Sequence, residues 1–247
     1  MFPIKLDGKQ LRRRIYSHVR DTRPQRVLEL GTGHGVSACY IAAALEANGS
    51  GSLTTVDHGG ADFDPAPAVV LSRAGLSHRV TLVREHSSYN WFLKKQVEEQ
   101  SDESGNCTPI YDFVFLDGSH NFDLDGLAVV LLEKLLRPGG WLLLDDLEWT
   151  YEQNPWVAPE LWPDGNARPF GPLSDEQRRA PQMRAVFDVI IKQHPAFTRL
   201  IREDEWHGWA QKGEASQRRY EVTTSRSLAA LLTGELRRRR WRRAARR

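Results

Sequence analysis

Three carboxylates and one histidine follow two of the apolar runs in this sequence. Asp117 comes after YDFVFL and opens the segment DGSH, which ends at His120, and Asp145 and Asp146 come after WLLL. Clustered carboxylates repel one another and raise one another's pKa unless a cation lies between them. A hard divalent ion such as Mg²⁺ binds oxygen ligands and acidifies a coordinated hydroxyl group. We therefore predict a metal site at Asp117, Asp145 and Asp146.

His120 is suited to act as the general base, because a histidine with an ordinary pKa of about 6.5 can accept a proton at neutral pH. The alternative for the acidic pair is that Asp145 or Asp146 only ends its strand or contacts solvent, without a metal. The chemistry that these residues predict is deprotonation of a hydroxyl group that then acts as a nucleophile.

A glycine-rich turn, GTGHG at residues 31–35, follows the first apolar run, RVLEL. Glycine permits positive φ and close approach of a ligand, and the next helix directs its free N–H groups at the turn. Glu29 lies two residues before Gly31, where a carboxylate suits a positively charged group such as an α-ammonium and disfavours a pyrophosphate. Asp57 ends the next run, LTTV, where an acid can accept both hydroxyls of a ribose. The alternatives are a buried ion pair for Glu29 and a turn or helix cap for Asp57.

These residues need a parallel sheet to bring them together. Apolar runs alternate with helical segments five times, and strands that are apolar throughout are buried on both faces of a parallel sheet. The predicted strands are Arg26–Leu30, Ser52–Val56, Arg79–Val83, Tyr111–Leu116 and Trp141–Leu144. The predicted helices are 10–20, Val36–Ala47, Ala68–Ala74, Tyr89–Gln100 and Leu124–Leu136. Ligands bind at the carboxyl edge of such a sheet.

The composition changes after Asp146. Residues 149–173 hold five prolines and three tryptophans, and we predict a substrate lid or insertion over 147–175, the alternative being aromatic residues that only pack against the body. A helix is predicted at Glu176–Gln193. Phe197–Ile201 and Trp206–Gln211 are predicted to form an antiparallel hairpin.

In order and spacing, the segments VLELGTGHGVSA, VDHGG, YDFVFLDGSH and LLRPGGWLLLDD resemble the class I S-adenosylmethionine (SAM)-dependent methyltransferases over residues 26–146. The resemblance implies an α/β, Rossmann-like, doubly wound and mostly parallel seven-stranded sheet that ends in the antiparallel hairpin. It implies that Glu29 and the glycine turn hold the methionine end of SAM, that Asp57 holds the ribose, and that Glu85 and the two residues after it border the adenine. The predicted SAM contacts are Glu29, Gly31, Thr32, Gly33, His34, Asp57, His58, His86, Ser87 and Asp117. The alternative for His58 and His86 is a solvated loop position.

The DGSH segment and the acidic pair are similar to those of metal-dependent O-methyltransferases that act on the sugars of macrolides and other bacterial natural products. The resemblance implies a metal ligand at Asp117, a catalytic base at His120 and a metal pair at Asp145 and Asp146. The catechol-type branch has Lys near the position of His120 and Asp-Asn at the pair, so this chain departs from it. We predict a SAM-dependent O-methyltransferase that acts on a hydroxyl of a small molecule with the help of Mg²⁺.

The charge of the chain is divided between an acidic body and a basic tail. Residues 218–247 hold eleven arginines and two glutamates, a net charge of +9, which leaves −7 for the other 217 residues. We predict one methyltransferase domain over 1–217 and a separate tail over 218–247. Such a tail can bind phosphates, anionic lipid or RNA, and the alternative is a disordered or helical, solvated terminus.

Three other function classes compete with the small-molecule enzyme. An RNA methyltransferase guided by the tail is the first, although the acidic body disfavours it, since RNA-binding proteins spread cations around the active face. A non-catalytic module that binds SAM or a nucleotide is the second, and a dehydrogenase is the third. A nucleic-acid partner is therefore not expected, and the sequence permits a homodimer without indicating one.

The sequence predicts a cytoplasmic protein. No run approaches the roughly 18 consecutive apolar residues that a membrane helix needs, and the first residues lack the apolar core of a signal peptide. Cys39 and Cys107 are the two cysteines of the chain, and without a secretion signal they are expected to be reduced thiols.

Overall fold

The computed structural model describes residues 8–58, 63–153, 173–214 and 219–223. Its centre is one mixed sheet. The strands are β1 (Arg26–Leu30), β2 (Ser52–His58), β3 (Val80–Glu85), β4 (Tyr111–Leu116), β5 (Leu136–Leu144), β6 (Phe197–Glu203), β7 (His207–Lys212) and β8 (Arg219–Thr223). Their order across the sheet is β3-β2-β1-β4-β5-β7-β6-β8. The first five strands run parallel, and β7 is antiparallel to both β5 and β6.

Helices cover both faces of this sheet. They are α1 (Gly8–Thr22), α2 (Val36–Asn48), α3 (Pro67–Arg73), α4 (Tyr89–Gln100), α5 (Phe122–Leu135), α6 (Asp175–Arg179) and α7 (Gln182–Ala185). Successive strand residues point to opposite faces. Val27 and Phe113 therefore pack with α1, α2 and α3, whereas Leu28 and Val114 pack with α4, α5 and the helix at 182–191. The result is a three-layer α/β/α core.

The register of the parallel strands brings the chemically active residues to one edge. Leu30 at the end of β1 lies beside Val56 of β2 and Leu116 of β4, and Leu116 lies beside Leu144 of β5. The residues that follow these four positions therefore meet at the carboxyl edge, where ligands bind in open α/β sheets. The predicted fold class is confirmed.

The turn after α5 differs from its prediction. The sequence RPGG was predicted to separate a helix ending at Leu136 from a strand beginning at Trp141, but α5 ends at Leu135 and β5 begins at once with Leu136. Leu136 pairs with Tyr111, and the register between β4 and β5 then shifts before Trp141. The proline and the two glycines are absorbed in this irregularity of the strand, because a bulge tolerates residues that a regular ladder does not.

The predicted helix Glu176–Gln193 is wrong as one continuous element. Its residues form α6, then α7, which continues into a π-helical segment at Val186–Ile191. Pro181 causes the break, because it has no N–H to donate and it forces the preceding residue out of the helical region. Ala180 accordingly has an extended conformation, with φ −71° and ψ 132°.

The predicted antiparallel hairpin is confirmed as β6 and β7, and an eighth strand adds to it. β8 pairs in parallel with β6 and comes from residues that the sequence assigned to the basic tail. The rest of that tail, from residue 224, and most of the predicted lid, at 154–172, lie outside the described residues. No helix in the part of the chain that the structure describes combines the length and the hydrophobicity needed to cross a membrane.

Candidate active site

The glycine turn begins where two strand ends touch. The N–H of Gly31 donates to the carbonyl of Val56 at 2.9 Å, and the N–H of Asp117 donates to the carbonyl of Leu30 at 2.9 Å. Gly31 has a φ of +98°, and a Cβ atom built on it would lie 1.8 Å from the carbonyl oxygen of Asp117. Only glycine fits at this position, so the turn is tied to the residue that opens the DGSH segment.

Asp57 holds the turn in place from the end of β2. Its Oδ2 atom accepts hydrogen bonds from the N–H groups of Thr32 at 2.8 Å and Gly33 at 2.7 Å. Its Oδ1 atom accepts from the N–H of His58 at 2.6 Å. A carboxylate oxygen has more than one acceptor site, so Asp57 can order the turn and still accept a hydroxyl of a bound ligand.

Glu29 is a buried carboxylate beneath the turn. The hydroxyl of Thr55 donates to its Oε2 atom at 2.6 Å and lies 2.6 Å from the hydroxyl of Thr32. Its Oε1 atom is buried and accepts no hydrogen bond within the described residues. Burial raises the pKa of Glu29 to about 7, and the negative charge of Asp57 adds to the rise. Hydrogen bonds from the hydroxyls of Ser37 and Thr55 lower this pKa and offset only part of the rise. A buried carboxylate is unfavourable unless it is paired, so the site favours a ligand with a positive charge.

A cavity of about 80 Å³ opens beside the turn and beneath the segment that precedes α3. Apolar side chains of Phe63, Pro67 and Leu82 line it together with the carboxylate of Asp57, which suits a nucleoside. Phe63 also packs edge-on against His34, with 4.9 Å between the ring centroids. The residues around the cavity are Thr32, Gly33, Asp57, His58, Phe63, Ala66, Pro67, Ala68, Leu82, Val83 and Arg84.

The residues that were expected at the adenine lie outside this cavity. His86 and Ser87 are exposed, and Glu85 is buried and pairs with Lys95. The structure therefore brings Thr32, Gly33, Asp57 and His58 together at the cavity and leaves His86 and Ser87 apart from it. Apolar residues of β3 and of the segment before α3 line the cavity instead, and the contact of His86 and Ser87 with adenine stays a prediction.

Three ligand atoms converge at the neighbouring strand ends. The Nε2 atom of His120 lies 3.6 Å from Oδ1 of Asp117 and 3.1 Å from Oδ2 of Asp146. One such atom from each residue lies within 4.8 Å of the others. Two carboxylates and an imidazole in this arrangement fit a divalent cation, because carboxylate oxygens are the ligands that Mg²⁺ prefers. We call these three residues the acid cluster.

The backbone around the acid cluster is strained. His120 has a φ of +55° and Asp146 a φ of +58°. Residues other than glycine in this left-handed region cost on the order of 1 kcal/mol or more each and persist only where the surroundings fix them. The side chains of these two residues contact each other, so the strained positions coincide with the convergence of the ligand atoms.

The charges of the acid cluster shift the pKa values of its own members. Burial raises the pKa of Asp117 well above its usual range, and the charges of Asp145 and Asp146 raise it further. Burial lowers the pKa of His120, but the contact with Asp146 and the charge of Asp117 outweigh it and raise the value to about 9. The imidazolium of His120 is thus the positive charge that offsets the carboxylates when no cation is bound.

Asp145 does not point into the acid cluster. Its Oδ1 atom lies 3.2 Å from Nε2 of His207 and accepts the N–H of Asp146 at 2.7 Å. Of the metal ligands predicted from the sequence, the structure brings Asp117 and Asp146 together beside His120, while Asp145 lies next to them against β7. His207 has no signal in the sequence, because its proximity to Asp145 depends on the pairing of β7 with β5.

A hydrogen-bond network supports the DGSH turn from below. Tyr89 donates its hydroxyl to Asp125, which is fully buried. The carboxylate of Asp125 also accepts the hydroxyl of Ser119 at 3.2 Å and the N–H of Asn121 at 2.8 Å. A Cβ atom on Gly118 would lie 2.6 Å from the hydroxyl oxygen of Tyr89. The sequence gives no local signal for this network, since α4 and α5 must pack together before it forms.

Two aromatic residues form a wall beside the acid cluster. The ring of Trp149 lies over His120, with 4.9 Å between centroids, and Tyr151 packs edge-on against Trp149 at 4.6 Å. The hydroxyl of Tyr151 donates to the carbonyl of Ser119 at 3.1 Å. The predicted contribution of the aromatic segment to a substrate pocket therefore has these two members next to the site, and its other members lie outside the described residues.

Residues 28–147 match the model of a family described as a methyltransferase domain. They contain the glycine turn, Asp57 and the acid cluster. Together with the sheet order, this match identifies residues 28–147 as a methyltransferase domain of the α/β class.

Solved structures of methyltransferases are similar to this fold. The O-methyltransferase TomG from Streptomyces achromogenes, involved in tomaymycin synthesis and solved with SAM, is 19% identical, with 85% of this chain and 82% of that chain covered and a TM-score of 0.54. The methyltransferase PaMTH1 from Podospora anserina, bound to S-adenosylhomocysteine (SAH), is 17% identical, with 85% and 80% covered and a TM-score of 0.58. An O-methyltransferase from Bacillus cereus, in complex with SAH, is 16% identical, with 84% and 83% covered and a TM-score of 0.53. No curated protein sequence matches the chain.

Proposed function

We propose that this methyltransferase transfers the methyl group of SAM to a hydroxyl group of a small molecule. The observation that carries the proposal is the convergence of Asp117, His120 and Asp146 at the sheet edge next to the SAM turn. A neutral amine can attack through its lone pair without first losing a proton, whereas a hydroxyl is a poor nucleophile until its proton is removed. A site with two carboxylates and a nearby imidazole suits that requirement.

The residues of the chain orient SAM from its two ends. Glu29 would pair with the α-ammonium of SAM, and Asp57 would accept the hydroxyls of its ribose. Methyl transfer is an in-line displacement, in which the bond from oxygen to the methyl carbon forms as the bond from sulfur to that carbon breaks and SAH leaves. Alignment of the two reactants can contribute roughly 7–11 kcal/mol at best.

The acid cluster prepares the acceptor for this displacement. Asp117 and Asp146 would hold a divalent cation such as Mg²⁺, which supplies acidification of a coordinated hydroxyl when it is bound. His120 takes the hydroxyl proton at Nε2, the atom that faces both carboxylates. A cation held by Asp117 and Asp146 would also weaken their hold on a proton at His120, which would leave the imidazole free to act as the base.

The acceptor class follows from the wall of Trp149 and Tyr151. A flat, half-buried indole beside the base suits the face of a sugar or an aromatic ring. TomG, an O-methyltransferase involved in tomaymycin synthesis, is among the similar structures, which supports a natural product or a sugar as the acceptor.

The test is a methyl-transfer assay with labelled SAM and a panel of hydroxylated sugars and phenols, with Mg²⁺ or with excess EDTA. We expect EDTA to abolish turnover and leave SAM binding intact. We expect His120→Ala to lower kcat by about 10²–10⁴-fold, while SAM still raises the melting temperature and NAD does not. Asp123→Asn, which changes an exposed carboxylate on α5, is the matched control and should retain full activity.

The outcomes separate the parts of the proposal. Full activity in excess EDTA would rule out the metal and leave the methyltransferase assignment unchanged. Transfer to bulk RNA but to no small hydroxyl compound would refute the acceptor class. Absence of SAM binding would refute the function as a whole.

A further inference from the structure

Behind the acid cluster, His207 and Asp145 form a buried pair between two antiparallel strands. β5 and β7 pair with Leu144 opposite Gly208, so the residue that follows β5 lies across from the residue that begins β7. The Nε2 atom of His207 lies 3.2 Å from Oδ1 of Asp145, and the two side chains are 0% and 8% exposed. This pair is outside the set of side chains that would contact SAM or the acceptor.

The polar atoms of His207 are difficult to explain by packing alone. Both ring nitrogens are buried, and within the described residues neither forms an aligned hydrogen bond. Burial of an unpaired polar group costs free energy that an apolar side chain of similar size would avoid. The short contact with the Asp145 carboxylate is the interaction that offsets this cost.

One oxygen atom connects the pair to the acid cluster. Oδ1 of Asp145 lies next to His207 and also accepts the backbone N–H of Asp146. This arrangement fixes the peptide between the two aspartates, where Asp146 has a φ of +58°. The left-handed turn directs the carboxylate of Asp146 toward His120, at 3.1 Å. A rotation of Asp145 into the cluster would break both contacts of its Oδ1 atom.

We propose that His207 is a positioning residue that holds Asp145 away from the cation and thereby presents Asp146 as the carboxylate that binds it. The inference rests on the proposed function, because it concerns the cation site of that function. It assigns different roles to two adjacent aspartates: Asp145 fixes the turn, and Asp146 is the ligand. Groups that orient metal ligands typically change metal affinity by about 10–100-fold when they are removed.

The test uses Mn²⁺ as the probe and measures its affinity for the full-length protein by the electron paramagnetic resonance signal of the free ion. His207→Leu keeps the volume and removes the polar contact, and we expect it to weaken Mn²⁺ binding by about 10–100-fold. His207→Gln can place an amide nitrogen near the position of Nε2, and we expect it to restore most of the affinity. A role in packing alone predicts the opposite order, since Leu suits an apolar interior better than Gln.

Two further variants keep the result independent of folding. Phe187→Leu changes a core residue that packs against Gly208 next to His207, and we expect it to lower the melting temperature without changing Mn²⁺ affinity. Asp145→Asn keeps an oxygen that can accept the N–H of Asp146, and we expect it to bind Mn²⁺ within a few-fold of the wild type. Asp146→Ala, which removes the carboxylate altogether, should lose binding.

The outcomes distinguish this inference from the proposed function. His207→Leu with wild-type affinity, or Asp145→Asn as defective as Asp146→Ala, would overturn the positioning role while the metal site remains. A wild-type protein that binds no Mn²⁺ would overturn the metal site and this inference together.

Discussion

Glu29 gives the sharpest test of the SAM site, because its burial has a cost that depends on pH. Burial raises its pKa from 4.5 to about 7. Between these values the folded protein keeps a proton that the unfolded chain releases, so the free energy of unfolding falls as the pH rises through this window. At 1.36 kcal/mol for each pKa unit, the loss is about 3 kcal/mol and is complete above pH 7.

Glu29→Gln removes this loss, because the amide has no proton to release and keeps an oxygen for the hydroxyl of Thr55. From pH 5 to pH 8, we expect the wild type to lose about 3 kcal/mol more free energy of unfolding than the variant. Urea denaturation of both proteins at the two pH values, without SAM, measures the difference. Glu103→Gln, at an exposed loop position, is the matched control and should leave the pH dependence as it is.

SAM provides the second half of the experiment. Its ammonium would pair with the buried carboxylate, so saturating SAM should stabilise the wild type strongly at pH 8 and the Glu29→Gln variant much less. Equal pH dependence of unfolding in the wild type and the variant would refute the electrostatic reasoning. Equal stabilisation of the two by SAM would refute the placement of the amine at Glu29.

Two other substitutions test the turn and the packing of α1. Gly31→Ala places a Cβ atom 1.8 Å from the carbonyl oxygen of Asp117, whereas the Cβ atom of the control Gly49→Ala, at a φ of +73°, meets nothing within 4 Å. Both variants should lose about 1 kcal/mol of stability because of the positive φ. Calorimetry should find SAM binding weakened, by at least about 10-fold, for Gly31→Ala alone. His18 has a pKa lowered to about 4 by burial and by Arg14, so stability should fall by about 3 kcal/mol as the pH drops from 6.5 to 4. His18→Phe should remove most of that acid sensitivity in urea denaturation, and an unchanged acid sensitivity would contradict the assignment to this ring.

The parts of the fold that the sequence predicts are those with a local cause. The central strands β1 and β4 are mainly apolar because both of their faces are covered, and the turn after β1 is marked by glycines, one of which a close contact requires. Asp57 and Asp117 are predictable at one edge, since they follow the ends of strands that the alternating pattern makes parallel.

The features that the sequence does not predict depend on contacts between distant segments. The residues RYEVT of β8 alternate poorly and form a strand because β6 offers an unpaired edge. The role of His207 depends on the pairing of β7 with β5. Likewise, Phe63 and Leu82 become the wall of the nucleoside cavity only when the segment before α3 folds against β3.

The direction of β8 has a consequence for the arginines that follow it. β8 runs parallel to β6, and β6 has the same direction as β5, since both are antiparallel to β7. Thr223 therefore lies at the carboxyl edge of the sheet, the edge that also holds the glycine turn and the acid cluster. The chain continues from this edge into residues 224–247, which contain nine arginines and one glutamate.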